Sequence, residues 1–163
     1  MRGLITELLD FRKQEQGHMT IKVSEHNIVD SLNENYLLFH EYAVTRQVNF
    51  IFKKEIEDLT VWYDTNQFQK VVNNLISNAF KHTKSDDTII ITIRKSNENA
   101  IFEIEDTGDG IDAKDIDQIF NRFYQTDNVS SGTGIGLALA KGIIELHHGT
   151  ISVKSEKGIG ATF

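Results

Sequence analysis

The run DTNQFQKVVNNLISNAFKHT, residues 64–83, decides the fold. Phe68, Val71, Val72, Leu75, Ile76, Ala79 and Phe80 recur at helical spacing and make one wide apolar face. Asp64 stands where an N-cap belongs. Asn74, Asn78 and Lys81 follow four and three residues apart. At about 100° per residue they share a stripe no more than ~60° wide, bordering the apolar face. Two carboxamides and an ammonium therefore look along the edge of a core. An amide oxygen is a hard ligand for Mg²⁺, and a lysine is a point charge for phosphate. A polar helix edge facing water has the same pattern, since polar i,i+4 pairs are common on helices.

Outward from this helix, the pattern alternates between strands and helices. Two strands are expected over 88–95 and 99–106, joined by Asn97-Glu98-Asn99. Upstream, Val48, Phe50 and Phe52 alternate, as do Val61 and Tyr63. Met19, Ile21 and Val23 predict a first short strand, and Ser24 a cap for a helix over 26–45. Residues 4–16 read as a helix tail ended by Gly17, with Leu4, Ile5, Leu8 and Leu9 on one side. The last helix is expected over 134–147, stopped by Gly149, and strands over 150–155 and 160–163 end the chain. Strands joined by both hairpins and helices predict an α/β (α+β) two-layer sandwich: one mixed sheet with helices on one face. The expected division is residues 1–18, a helix end plus linker, and 19–163, a catalytic domain; both chain ends read as cuts.

Bulk composition narrows the function. The 163 residues carry 39% hydrophobic and 25% charged residues, ordinary for a globular domain of one core. A net charge of −7 argues against a nucleic-acid partner, which demands a basic footprint. No stretch approaches the roughly 18 apolar residues of a membrane helix, so no membrane contact by these residues is expected. With no cysteine there are no disulfides, thiolate metal sites or cysteine nucleophiles, which fits a reducing compartment and a cytoplasmic location.

Three further constellations carry chemistry. In Asp106-Thr107-Gly108-Asp109-Gly110, strand alternation puts Phe102, Ile104 and Asp106 on one face. An acid in that register needs a partner, and a ligand amine is one candidate. A simple strand-ending turn is the other reading. In Gly132-Thr133-Gly134-Ile135-Gly136 the glycines lead into the last helix, whose free N–H groups and dipole favour an anion. A flexible lead-in explains the run equally well. Phe120-Asn121-Arg122-Phe123-Tyr124 places aromatics at the base of a polar segment, and Arg122 is a candidate phosphate contact; taken alone, a loop pinned by two phenylalanines is the simpler reading.

Each motif is ambiguous alone, but their order is not. Asparagine helix, Asp-x-Gly-x-Gly, Phe-x-x-Phe and Gly-x-Gly-x-Gly, closed by residues 155–163, resemble the catalytic ATP-binding domain of sensor histidine kinases. That family groups with the gyrase, Hsp90 and MutL ATPases and shares their Bergerat-type fold. Within it, the chain most resembles hybrid kinases of Bacteroidetes two-component systems.

The resemblance implies ATP and Mg²⁺, with Asn78 as the metal ligand and Asn74 and Lys81 at the phosphates. Asn74 and Lys81 would be the catalytic pair. Asp106 would accept from the adenine amine, with Gly108, Gly110 and Ile111 about the base. His82 stands where the family usually has a tyrosine beside the adenine. Phe120, Arg122, Gly132, Thr133, Gly134, Ile135, Gly136, Leu137 and Thr162 complete the implied nucleotide contacts, with 121–133 as a lid. Gyrase-type relatives carry a glutamate where this chain has Asn74, and asparagine is no base, so ATP hydrolysis is disfavoured.

The implied partners are a dimerisation and phosphoacceptor domain and a response-regulator receiver domain. The acceptor histidine normally precedes an acid and a proline. Zero prolines exclude that form here, and His40-Glu41 lies within an expected helix. A degenerate nucleotide-binding module and an anti-sigma-type serine kinase are the competing classes. Intact Asn78 and Asp106 disfavour the first, and the helix tail disfavours the second.

Overall fold

The computed structural model describes residues 2–125 and 133–163. Its elements run α1 (Arg2–Glu15), β1 (Ser24–Asn27), α2 (Ile28–Arg46), β2 (Asn49–Lys54), β3 (Thr60–Tyr63), α3 (Thr65–His82), β4 (Thr88–Ser96), β5 (Asn99–Asp106), α4 (Gly136–Leu146), β6 (Lys154–Glu156) and β7 (Gly160–Thr162). Five strands form one mixed sheet in the order β2-β4-β5-β7-β6. β2 and β4 are parallel, the remaining pairs antiparallel. A parallel pair needs a crossover, and α3 supplies it.

Helices cover one face of that sheet. Ile89, Ile91 and Ile93 of β4 point into the core, opposite Asp106, Ile104 and Phe102 of β5. The seven apolar residues of the α3 face are all buried against them. Full burial of such side chains stabilises by about 1.5–3 kcal/mol each, before entropy is counted. The α3 stripe is therefore the floor of the core as well as the wall of whatever its polar edge faces.

Three boundaries differ from the sequence expectation. The strand expected at 19–23 is displaced: the paired residues are Ser24–Asn27, opposite Thr60–Tyr63 in a separate two-stranded sheet. Met19 is buried as its pattern implies. Its backbone N–H, however, donates to Lys13 O, and that of Lys22 donates to Asp64. Alternation reports which side chains turn inward and is silent on where the backbone finds partners. Consequently Asn27, and not Ser24, caps α2, accepting from Val29 N at 3.1 Å. Near the chain end, pairing begins at Lys154 instead of residue 150, and α4 begins at Gly136 instead of 134.

Asp64 knots the fold. One carboxylate oxygen accepts from Gln67 N at 3.0 Å, the other from Lys22 N at 2.7 Å. Its own N–H donates to His147 Nε2 at 3.0 Å. That fixes the imidazole proton on Nδ1, which donates to Ile143 O at 2.7 Å in the last turn of α4. The start of α3, the end of α4 and the segment before β1 meet there. Burial alone would push the Asp64 carboxyl up, but the N–H groups of Lys22, Gln67 and Asn66 outweigh it and hold it below the usual carboxylate range. A depressed acid stabilises the fold above its unfolded value, near ~3.9, and loses that contribution as pH falls through the folded value. Asp64→Ala should therefore cost about 0.5–2 kcal/mol at pH 7, with the deficit shrinking as the pH falls below ~3.9. Urea titrations of both proteins across pH check this, and a pH-independent deficit contradicts it.

Candidate active site

The polar edge of α3, the turn after β5, the start of α4 and the β6–β7 hairpin enclose a cavity of about 890 Å³. Asn74, Asn78, Lys81 and His82 enter its lining from α3; Asp106, Gly110 and Ile111 from the turn; Thr133, Gly134, Gly136 and Leu137 from the start of α4. The constellations separated in sequence thus converge on one space. Its volume lies in the range of small-molecule sites.

Asp106 sits at the end of β5 with 5% of its surface exposed. Burial pushes its carboxyl above the usual range, and the N–H groups of Gly108 and Ala161 counter that only in part. Gly108 N donates to Oδ1 at 3.0 Å. No lysine or arginine ion-pairs with Asp106 among the described residues. A buried acceptor that lines a cavity and has no cationic partner among the described residues is suited to a ligand donor.

His82 is half-buried and its imidazole is pushed below its usual value, by burial first and then by the neighbouring Lys81. That favours the neutral imidazole, and the residue lines the cavity where a planar ligand could meet its ring. Burial also lowers Lys81. The His82 carbonyl accepts from Asp109 N at 3.1 Å, tying the end of α3 to the Asp106 turn.

At the other end, Asn74 Nδ2 donates to Gly136 O at 3.2 Å. Thr133 Oγ1 accepts from Ile135 N at 3.3 Å, and no side chain caps α4. The α4 N-terminus is thereby presented to the cavity with donors to spare.

The glycines of the turn answer to backbone packing. A Cβ on Gly108 would lie 2.2 Å from His82 O, and one on Gly110 2.0 Å from Glu156 O. Gly134, at φ +68°, is pressed against Phe123, itself at φ +59°. An aromatic residue in that region is strained, and such strain gathers at functional sites.

Several residues named from sequence lie off the cavity lining. Arg122, expected at phosphate, ion-pairs with Glu15 of α1 and lies over the Phe11 ring at 5.4 Å. Phe120 and Arg122 line a second, smaller cavity between α1 and α4. Ile135 is buried in the core, Gly108 is buried beside Asp106, and Thr162 of β7 pairs with Glu105 of β5. Gly132 and residues 126–131 of the expected lid lie outside the described residues.

Conversely, Lys114, Tyr124 and Lys157 line the cavity. The two lysines are exposed and carry no pattern that sequence could have flagged. Tyr124 donates to Asp115 Oδ1 at 2.6 Å. Gly160 was equally unassigned: at φ +136° a Cβ would fall 1.9 Å from Asp106 O. Gly158, at φ +84°, faces open space.

Gly158→Ala should therefore cost only backbone strain, about 1–2 kcal/mol. Gly160→Ala should add a steric term of about 1–3 kcal/mol and weaken any ligand of Asp106. Urea midpoints at constant slope compare the two, and equal costs would remove the close-approach account of Gly160.

Comparison with known proteins agrees with this geometry. The family described as histidine kinase-, DNA gyrase B-, and HSP90-like ATPase matches residues 63–163. Histidine kinase P4 of Formosa agariphila is 37% identical over 98% of this chain and 12% of its own length. The sensor protein SrrB of Staphylococcus aureus is 36% identical over 100% of this chain and 28% of its own. The chain thus spans well under a third of these relatives. Among solved structures, the catalytic domain of histidine kinase ThkA superposes with a TM-score of 0.79 at 29% identity, over 87% of this chain and 94% of that one.

Proposed function

The chain belongs to the histidine kinase-, DNA gyrase B- and HSP90-like ATPase family and is a histidine kinase catalytic domain; from that premise we propose that it binds Mg-ATP and delivers the γ-phosphate to a histidine of a separate dimerisation domain. The observation that carries the proposal is Asp106: a buried carboxylate with no cationic partner among the described residues, lining the cavity that the α3 amides and the α4 N-terminus also line. It is an acceptor for the exocyclic amine of adenine. His82 offers a neutral ring for the base.

The triphosphate then runs towards Lys81 and the free N–H groups at the start of α4. No cluster of three or more acidic or histidine ligands exists among the described residues to hold a metal by itself. That fits Mg²⁺, which keeps several waters and binds through substrate phosphates plus one or two protein oxygens. Asn78, lining the cavity, would provide that oxygen. The metal supplies charge neutralisation, and the residues supply position.

α1, with Ile5, Leu8 and Leu9 exposed, is read as the end of a dimerisation helix. The upstream partner is the phosphoacceptor domain, and the downstream one a response-regulator receiver domain. No helix among the described residues is long and apolar enough to cross a membrane. A cytoplasmic catalytic domain is the reading that accords with a sensor parent.

The test is calorimetric titration of Mg-ATP into this chain and into Asp106→Asn. Binding by the first and a loss of roughly 10–100-fold in the second are expected, from the loss of a charged hydrogen-bond acceptor. Labelled ATP should leave no base-stable, acid-labile phosphate on the chain alone and should label an added histidine domain. Absence of binding in both folded proteins would instead favour a degenerate module.

A further inference from the structure

The adenine end of the cavity is built from two segments that pack backbone to backbone. One is the Asp106–Ile111 turn, the other the β6–β7 hairpin. Gly158 N donates to Asp109 O at 2.8 Å, Glu156 O lies where a Gly110 Cβ would be, and Gly160 occupies the same position against Asp106 O. The glycines leave no side chain between them.

A single hydroxyl bridges the remaining gap. Ser155 Oγ accepts from Ile111 N at 2.8 Å and donates to Gly160 O at 2.6 Å. Its one proton is thus committed to Gly160 and a lone pair to Ile111. Ile111 lines the cavity. Gly160 immediately precedes Ala161, whose N–H bonds the Asp106 carboxylate. The hydroxyl therefore sets the spacing between the cavity wall at Ile111 and the clamp that holds the carboxylate.

We propose that Ser155 is a positioning residue for nucleotide binding, fixing the adenine-recognising carboxylate relative to the wall of the base pocket. It touches neither nucleotide nor metal and acts through Ile111, Gly160 and Ala161. The proposal rests on reading the cavity as an ATP site.

Removing the hydroxyl leaves the Ile111 N–H and the Gly160 carbonyl without their partner, and the two segments are free to part. The base should then be held less well and the phosphates as before. ATP, ADP and AMP should lose affinity by the same factor, about tenfold, because all three share the base.

The experiment is calorimetry of the three nucleotides, with Mg²⁺, on the wild-type chain, Ser155→Ala and Ser155→Thr, well below each melting temperature. A common loss in Ser155→Ala with recovery in Ser155→Thr, which restores a hydroxyl, supports the proposal. Unchanged affinity in Ser155→Ala overturns it, as does a loss that grows with phosphate number. A merely structural serine would lower the melting temperature and leave affinity alone. Should Ser155→Ala fail to fold, Ser155→Cys carries the same comparison. If the wild type binds none of the three, the ATP reading itself fails, which is a separate result.

Discussion

The carboxylate of Asp106 is the constraint around which the site end of this fold is arranged. An acid at 5% exposure is costly unless donors reach it. The donors here are backbone N–H groups, from Gly108 in its own turn and from Ala161 on β7. Backbone donors demand close backbone approach. That is why the last strand passes directly behind Asp106 and why glycine stands at 160, where any Cβ would meet the Asp106 carbonyl. Those donors offset the cost of burial only in part, so its carboxyl stays above the usual range. The fold thus carries a buried acceptor that lines the cavity and to which a bound ligand can donate.

A second device brings the opposite end of the cavity to meet it. α3 buries one face under the sheet and turns its next stripe towards the cavity, so a single helix both closes the core and presents Asn74, Asn78 and Lys81. Its axial position is set at both ends. The Asp64–His147 knot ties its start to the end of α4, and the His82 carbonyl ties its finish to the Asp106 turn. A shift of α3 along its axis would break one knot or the other, so the distance from the carboxylate to the amides is fixed by hydrogen bonds at both ends.

Much of this was legible in the sequence because the signals were periodic. The α3 face, its Asp64 cap and the core-facing register of Asp106 follow from helical and strand repeats alone. The order of motifs then places the cavity. What escaped was set by backbone partners or by contacts distant in sequence. Met19 and Ile21 alternate like a strand, yet the backbone there bonds to Lys13 O and the Asp64 carboxylate. Arg122 sits among aromatics in a polar segment, which suits a phosphate contact. It turns instead to Glu15, 107 positions away, and to the Phe11 ring. The cavity lysines, Lys114 and Lys157, are isolated charges in turns and have no pattern to betray them.

The orientation of Asn74 bears on why such a site would keep ATP intact. Its Nδ2 donates one of its two protons to the Gly136 carbonyl, 3.2 Å away, which helps pin the start of α4 to α3. An amide held this way can orient a neighbour, but neither of its atoms can accept a proton at neutral pH. A glutamate there would add a base beside the cavity and, in place of the Nδ2 donor, a negative oxygen facing a carbonyl. Asparagine at this position therefore packs α4 against α3 without adding a base to activate water. Under the proposed function, catalysis would rest on position and charge, with the nucleophile brought from outside.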